Sequence, residues 1–168
     1  MTNQRRGHVR VLGIVASARG IGFAVMEEKS VLVDWGVKTV KGDKNSRSLS
    51  NVANLMDHYK PDAIVLENTR SDGSLRRQRV RVLNGEIASL AQSERIKVTQ
   101  FSRKQLNLGF IAQGPETKHA LAEHIAARFP DELGFRMPQK RRAYTNEDSR
   151  MDIFHAVALA DHFLRSGE

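Results

Sequence analysis

Carboxylate and imidazole side chains recur towards the C-terminal end of this 168-residue chain. Asp148, Asp152 and His155 are spaced i, i+4 and i+7, so a helix would place them on one face. Glu67 ends the short, mostly apolar segment 62–67. Side chains of these types can bind a cation or transfer protons. The chain contains no cysteine, which excludes disulfides, zinc–thiolate sites and thiol nucleophiles.

Each of these residues also has a structural interpretation. Glu67 could close a strand at a solvated loop, and Asp152 could be a first-turn acid favoured by the helix dipole. His155 lies within segment 153–160, whose other residues are all apolar, so it could be a hydrogen-bonded core residue. The spacing alone leaves both interpretations open.

The charge balance indicates the class of partner. The chain has 27 Lys and Arg residues against 19 Asp and Glu residues, a net charge of +8. An excess of this size points to a polyanion, with nucleic acid first and an anionic membrane surface second. No apolar run approaches the roughly 20 residues of a membrane span, and residues 1–10 lack the apolar core of a signal peptide. We therefore expect a cytoplasmic protein without a membrane partner.

Two groups of basic residues concentrate this charge. The first follows Glu67 and the second, which includes a tyrosine, lies in a loop before the last helix. A solvated helix face would explain the first group equally simply, whereas basic residues beside an aromatic suit contacts with a nucleic acid backbone. The groups are Arg70, Arg76, Arg77, Arg79 and Arg81, and Lys140, Arg141, Arg142 and Tyr144.

Hydrophobic periodicity predicts a single domain over residues 1–168, with residues 1–7 as a flexible basic segment. The predicted strands are 8–16, 20–27, 31–37, 62–67 and 96–101, and the predicted helices are 49–59, 79–94, 117–129 and 146–165. Ser102 and Gln105 resemble a capping box for a short helix, and 130–145 reads as a basic loop. Three strands in a meander, followed by alternating helices and strands, indicate an α/β domain with a mixed sheet.

Four segments, in order and at fitting spacing, resemble the RuvC-type Holliday-junction resolvases. They are 12–25 (LGIVASARGIGFAV), 61–67 (PDAIVLE), Gly114 followed by Lys118, and 152–160 (DIFHAVALA). The resemblance covers nearly the whole chain. It implies a ribonuclease H-like fold, with a five-stranded mixed sheet flanked by helices.

The resemblance also implies a metal-dependent nuclease site. In this family an Asp on the first strand, a Glu on the fourth, and acidic or His residues on the last helix hold two Mg²⁺ ions about 4 Å apart. The matching positions make Glu67, Asp152 and His155 the candidate catalytic and metal-binding residues, with Asp148 as a further metal ligand. The first-strand Asp of the family is Val15 here, and Ala16 and Ser17 replace the Pro-Gly that follows it.

The resemblance places the first basic group beside the active cleft, against DNA phosphates, and makes Lys118 a phosphate contact. It also implies a homodimer formed through helices, for which 79–94 is the candidate. Magnesium or manganese would be the cofactor of an active protein, and His155 favours manganese because imidazole prefers softer ions than Mg²⁺. Because Val15 has no metal-binding atom, we also consider a protein that binds no metal.

The first functional prediction is a nucleoid-associated protein that binds branched or four-way-junction DNA, with nuclease activity impaired by Val15. The second is an active structure-specific endonuclease with a rearranged site of Glu67, Asp148, Asp152 and His155. The third is an RNA-binding or interaction module that retains only the fold.

Overall fold

Five strands and five helices make up the part of the chain that the computed structural model describes, namely residues 9–28, 31–69, 78–102, 104–106, 118–134 and 150–166. The strands are β1 (Arg10–Ala16), β2 (Gly20–Glu27), β3 (Val31–Thr39), β4 (Ala63–Glu67) and β5 (Lys97–Phe101). The helices are α1 (Lys44–Tyr59), α2 (Gln78–Ser93), α3 (Lys118–Arg128), α4 (Pro130–Leu133) and α5 (Met151–Ser166).

The sheet is mixed and has the strand order β3-β2-β1-β4-β5. Strands β1, β2 and β3 form an antiparallel meander, whereas β4 runs parallel to β1 and β5 runs parallel to β4. The β1–β2 register pairs Val15 with Gly22, and the β1–β4 register pairs Ile14 with Leu66. The predicted fold class, an α/β domain with a five-stranded mixed sheet, is confirmed.

Helices cover both faces of the sheet, because alternate residues of the central strands are buried on opposite sides. Leu12, Ile14 and Leu66 pack in one apolar cluster with buried residues of α1 and α2. Val11 and Val15 pack in the other cluster, with α3, α4 and α5. Both central strands are therefore buried on two sides, which explains their nearly continuous apolar sequences.

Helix α5 lies directly against the sheet at two glycines. A Cβ atom built on Gly13 would lie 2.3 Å from the carbonyl oxygen of Ala156. A Cβ atom built on Gly22 would lie 2.5 Å from Cβ of Asp152. No side chain fits at either place, so the two glycines permit the close approach of α5 to β1 and β2. This approach explains why twelve of the sixteen residues of α5 are buried.

The buried carboxylate of Asp161 joins α3 to α5. It accepts hydrogen bonds from Arg128 on α3 and, at 2.9 Å, from Arg165 on α5. Burial lowers the pKa of His124, and the nearby charges of Arg128 and Arg165 lower it further. Burial likewise lowers the pKa of His162, with Arg165 adding to the effect, while Asp161 opposes the shift at both histidines. Both histidines therefore resist protonation in the folded protein.

Several helix boundaries differ from the sequence-based prediction. Helix α1 begins at Lys44 rather than near residue 49, because Asp43 caps it by accepting a hydrogen bond from the backbone N–H of Ser46. Residues 130–133 form the short helix α4, where only a loop was predicted. Helix α5 begins at Met151 after a turn at Arg150, whereas the prediction began it near residue 146.

Other local predictions are confirmed. The backbone N–H of Ser102 donates to Gln105 Oε1 at 2.7 Å, and the N–H of Gln105 donates to Ser102 Oγ at 3.1 Å, which completes the capping box. Lys60, in the left-handed conformation, ends α1 as expected. Within the ranges described above, no helix is both long enough and apolar enough to cross a membrane. The predicted flexible segment 1–7 lies outside the described residues.

Candidate active site

Strands β1 and β4 end side by side at one edge of the sheet. Val15 and Glu67 directly follow Ile14 and Leu66, which are the last residues that β1 and β4 pair with each other. Glu67 lies two residues after Val65, which belongs to the cluster packed under α5, so Glu67 and Val15 share the α5 face of the sheet. Val15 and Glu67 therefore lie near each other at the strand ends, as the resemblance to the resolvase family implies.

Glu67 and His155 are brought together beneath α5. Nε2 of His155 lies 3.4 Å from Oε1 of Glu67, and the two side chains are only 8% and 12% exposed, respectively. A protonated His155 would form a nearly buried ion pair with Glu67. Asp152 lies one helical turn before His155, over Gly22, and is also buried. The three residues singled out from the sequence therefore line the same part of the α5–sheet interface.

Val15 changes the chemistry of this interface. Its side chain is 1% exposed and belongs to the apolar cluster under α5, so it fills core volume next to Glu67. Two other acids that lie close to β1 in the sequence, Asp34 and Asp43, have structural partners elsewhere. Asp34 accepts a hydrogen bond from the Tyr59 hydroxyl, and Asp43 caps α1. Burial, followed by the bond to Asp34, raises the pKa of Tyr59 to about 12.

Among the described residues alone, the side chains do not assemble a two-metal centre. Within the described ranges, no group of three or more His, Cys, Asp or Glu side chains is placed to hold a metal ion. The contact between Glu67 and His155 brings one carboxylate oxygen and one imidazole nitrogen together, and valine occupies the position between the strands. A pair of divalent ions needs bridging carboxylate oxygens, which valine cannot supply. Asp148, the remaining predicted ligand, lies outside the described residues.

Asn84 on α2 holds the end of β4. Its side-chain amide donates a hydrogen bond of 2.8 Å to the backbone carbonyl of Glu67, and Asn84 itself is buried. The next residue, Asn68, donates from its backbone N–H to the carbonyl of Phe101 on β5 at 2.8 Å. Sequence reasoning missed Asn84. The available signal was a polar residue on the buried face of α2, next to Leu83.

Arg79 was predicted to contact DNA, and its guanidinium group is engaged within the protein. It donates to Oδ1 of Asn45 at 2.8 Å and to the backbone carbonyl of Ser17 at 3.1 Å. Asn45 in turn donates to the backbone carbonyl of Arg79 at 3.1 Å. Arg79 therefore joins α2 to α1 and to the turn between β1 and β2. These contacts support a structural role for this residue.

The other predicted DNA-binding residues are placed only in part. Arg81 is half-buried on α2, and Lys118 is the first residue of α3. The rest lie outside the described residues, so their assignment stays a prediction: Arg70, Arg76, Arg77, Lys140, Arg141, Arg142 and Tyr144.

Comparison of the whole fold identifies its class. The chain adopts the ribonuclease H-like fold of the RuvC-type Holliday-junction resolvases. It is similar to Thermus thermophilus RuvC in complex with Holliday junction substrate, at 15% identity and a TM-score of 0.65, covering 95% of this chain and 97% of that one. No protein-family model and no curated protein sequence matches the chain.

Two further resolvases share the fold. The yeast mitochondrial Holliday junction resolvase Ydc2 aligns at 14% identity and a TM-score of 0.66, over 94% of this chain and 78% of that one. The fowlpox virus resolvase, in complex with Holliday junction DNA, aligns at 12% identity and a TM-score of 0.55, over 94% and 98% of the two chains. At these identities the likeness defines the fold, and function has to be argued from the site.

Proposed function

We propose that this protein binds branched DNA of the four-way-junction type and that its nuclease activity is impaired. One observation carries the proposal: Val15 is buried in the core beside Glu67, where the resembling family has a metal-binding Asp. The net charge of +8 and the similarity to junction-bound resolvases support retained DNA binding. We propose that such a protein is located in the cytoplasm and associates with the nucleoid.

The expected loss of activity is large. Removing a direct ligand of a catalytic metal removes several kcal/mol of charge stabilisation, and each 1.36 kcal/mol corresponds to a tenfold change in rate. We therefore expect cleavage to be at least about a thousandfold slower than in a protein with a complete carboxylate set.

DNA contacts are proposed for the basic residues that follow Glu67, apart from Arg79, and for those that precede α5, together with Lys118. Such contacts with phosphates contribute affinity and orientation but little sequence preference. We also propose a homodimer formed through the outward face of α2. Val82 on this face is 46% exposed, and a Cβ atom built on Gly85 would meet no atom within 4 Å. These features leave space for a partner helix.

A second candidate function is an active endonuclease with a rearranged site. The contact between Glu67 and His155 favours it, because a carboxylate and an imidazole can together bind a single softer ion such as Mn²⁺. Asp152 and Asp148 would complete this site. Glu67→Gln would abolish the cleavage of such an enzyme.

The test combines a gel shift and a cleavage assay on one synthetic four-way junction, with Mg²⁺ and with Mn²⁺. We expect binding without useful cleavage. Cleavage that depends on Glu67 would establish the rearranged endonuclease instead. Preference for RNA, or no nucleic acid binding at all, would favour the third prediction, a module that retains only the fold.

Restoring the carboxylate sharpens this test. Val15→Asp should bring back cleavage with Mn²⁺, and the double variant Val15→Asp, His155→Asp should cleave better with Mg²⁺, because it replaces the imidazole with a hard oxygen ligand. Val15→Asn is the matched control, with similar size and polarity but no charge. If the double variant binds junctions yet is inert with either metal, loss of the site extends beyond these two positions.

A further inference from the structure

Five basic residues surround the turn between β1 and β2, at a place that the sequence analysis did not single out. The turn lies beside the end of β3, because the N–H of Val40 donates to the carbonyl of Arg19 at 3.0 Å. The start of α1 reaches the same turn, where Nζ of Lys44 donates to the carbonyl of Ala18 at 2.8 Å. We call this group the turn cluster: Arg19, Lys38, Lys41, Lys44 and Arg47.

The turn cluster has one neighbouring acid, Asp43, whose side chain accepts the capping hydrogen bond from the backbone of α1. Elsewhere in the described chain Arg10 pairs with Glu27, and Arg128 and Arg165 pair with Asp161. None of the five residues of the turn cluster forms a salt bridge with a described carboxylate. Lys38 instead lies over an aromatic ring, and Arg19, Lys41 and Arg47 are exposed. The cluster therefore presents several positive charges to solvent.

The turn cluster lies at the same end of the sheet as Glu67, where strands β1, β3 and β4 end. Strand β1 ends at Ala16, just before the turn, and β4 ends at Glu67 beside it. Strand β3 ends three strand positions from β4, so the edge spans about 14 Å at roughly 4.8 Å per strand. That width corresponds to about four base pairs, because base pairs rise by about 3.4 Å. The cluster lies on the α1 side of the edge, whereas His155 lies on the α5 side.

We infer that the turn cluster binds the phosphate backbone of a double-stranded DNA arm that extends from the candidate active site. This inference rests on the proposed function and adds a contact surface to it. A lipid surface fits the cluster less well, because membrane-binding surfaces place large apolar side chains beside the basic ones. The exposed large hydrophobic residues of the described chain lie elsewhere, at the start of β3 (Val31 and Val33) and on α2 (Val82).

The test removes the same charge from the two opposite ends of the strands of the sheet. The cluster variant carries Arg19→Gln, Lys41→Gln and Arg47→Gln. The control variant carries Lys60→Gln, Arg95→Gln and Lys97→Gln, which are exposed residues before β4 and at the start of β5. Each variant lowers the net charge of +8 by three, so a general effect of charge would be equal in both.

Binding of a fluorescent four-way junction is measured by anisotropy between about 0.05 and 0.5 M salt. For B-DNA the logarithm of affinity falls by about 0.9 per neutralised phosphate and per tenfold rise in salt. We expect the cluster variant to lose about one unit of slope for each lost contact, and about five-hundredfold in affinity near 0.1 M salt when all three contacts are lost. The control variant should match the unchanged protein.

The outcomes separate this inference from the proposed function. If the unchanged protein does not bind the junction, the proposed function fails, and the inference fails with it. If the protein binds and the two variants have equal slopes, only the turn-cluster inference is overturned. A third measurement uses vesicles of phosphatidylserine and phosphatidylcholine. Loss of vesicle binding in the cluster variant, with junction binding unchanged, would assign the cluster to a lipid surface and also overturn the inference.

Discussion

Replacing Val15 with aspartate would put a carboxylate into one of the driest positions of the protein. Val15 is 1% exposed, lies in the apolar cluster under α5 and is next to Glu67 at the ends of the parallel strands. The new carboxylate would lie beside the acidic side chain of Glu67 and near Asp152, and like charges repel each other. We therefore expect Val15→Asp to destabilise the metal-free protein.

The magnitude follows from two contributions. Losing the burial of a valine side chain costs at least about 1.5 kcal/mol, and burying a polar group without full compensation adds about 1–3 kcal/mol. A loss of about 2.5–4.5 kcal/mol lowers the melting temperature by about 5–18 °C in a domain of this size. A divalent ion at a hundred times its dissociation constant returns about 2.7 kcal/mol, provided that it binds only the folded state.

The assay is thermal unfolding at pH 7.5, with a chelator and with increasing Mn²⁺ or Mg²⁺. The unchanged protein and Val15→Asn are the two controls. Val15→Asn should lose similar stability because it also replaces an apolar side chain with a polar one, but it lacks the charge that attracts a cation. Only Val15→Asp should regain a large part of its melting temperature with the metal.

Two results would refute this reasoning. A metal-free Val15→Asp protein as stable as the unchanged protein would mean that position 15 is not in a dry environment. An equal rise in melting temperature for Val15→Asn and Val15→Asp would mean that the cation binds somewhere else.

Three further predictions concern the elements around the site. Gly22→Ala should lower the unfolding free energy by about 1–3 kcal/mol, because its Cβ would overlap α5. Gly85→Ala, with open space around it, should raise the unfolding free energy by about 0.5–1 kcal/mol. Urea titration measures both variants, and equal effects would contradict the close approach of α5 to the sheet. Asn84→Ala should lower the unfolding free energy by about 1–3 kcal/mol in the same titration, because it leaves the buried carbonyl of Glu67 at the end of β4 without its donor. A loss below about 0.5 kcal/mol would contradict the role of Asn84 in holding the end of β4. Burial lowers the pKa values of His124 and His162 below 6.5, so the stability that they contribute above about pH 6.5 should be lost as the pH falls through the lowered values. A variant with glutamine at both positions should show a flatter dependence of unfolding free energy on pH. An unchanged pH dependence would assign the loss to other groups.

The strands could be predicted because their signals are local and strong. Continuous apolar segments indicated that β1 and β4 are buried strands, and the alternation in β3 indicated a half-exposed strand. The expectation that Val15 and Glu67 lie together followed from the resemblance to the resolvase family. The structure then added their shared face under α5, because side chains alternate along a strand.

Helix ends and side-chain partners were harder to predict. The first turns of α1 carry no apolar stripe, so the periodicity began too late, although Asp43 is a favoured capping residue. Pro130 followed by Asp131 and Glu132 is a helix-start pattern that could have identified α4. The contacts of Arg79 with Asn45 and Ser17 join residues 34 and 62 positions apart, and no local pattern predicts such pairings.

The contact of α5 with the sheet has an evolutionary consequence. Gly13 and Gly22 face the backbone of this helix, so a larger residue at either position would require the helix to shift. Position 15 shows that an apolar side chain can pack at the end of β1, where the resembling family has an acid. If selection for catalysis ceased while selection for folding continued, the acids would be free to drift and the glycines would not. Distant relatives that have lost the chemistry should then be recognisable by two glycines, on adjacent strands and beneath a helix of small residues.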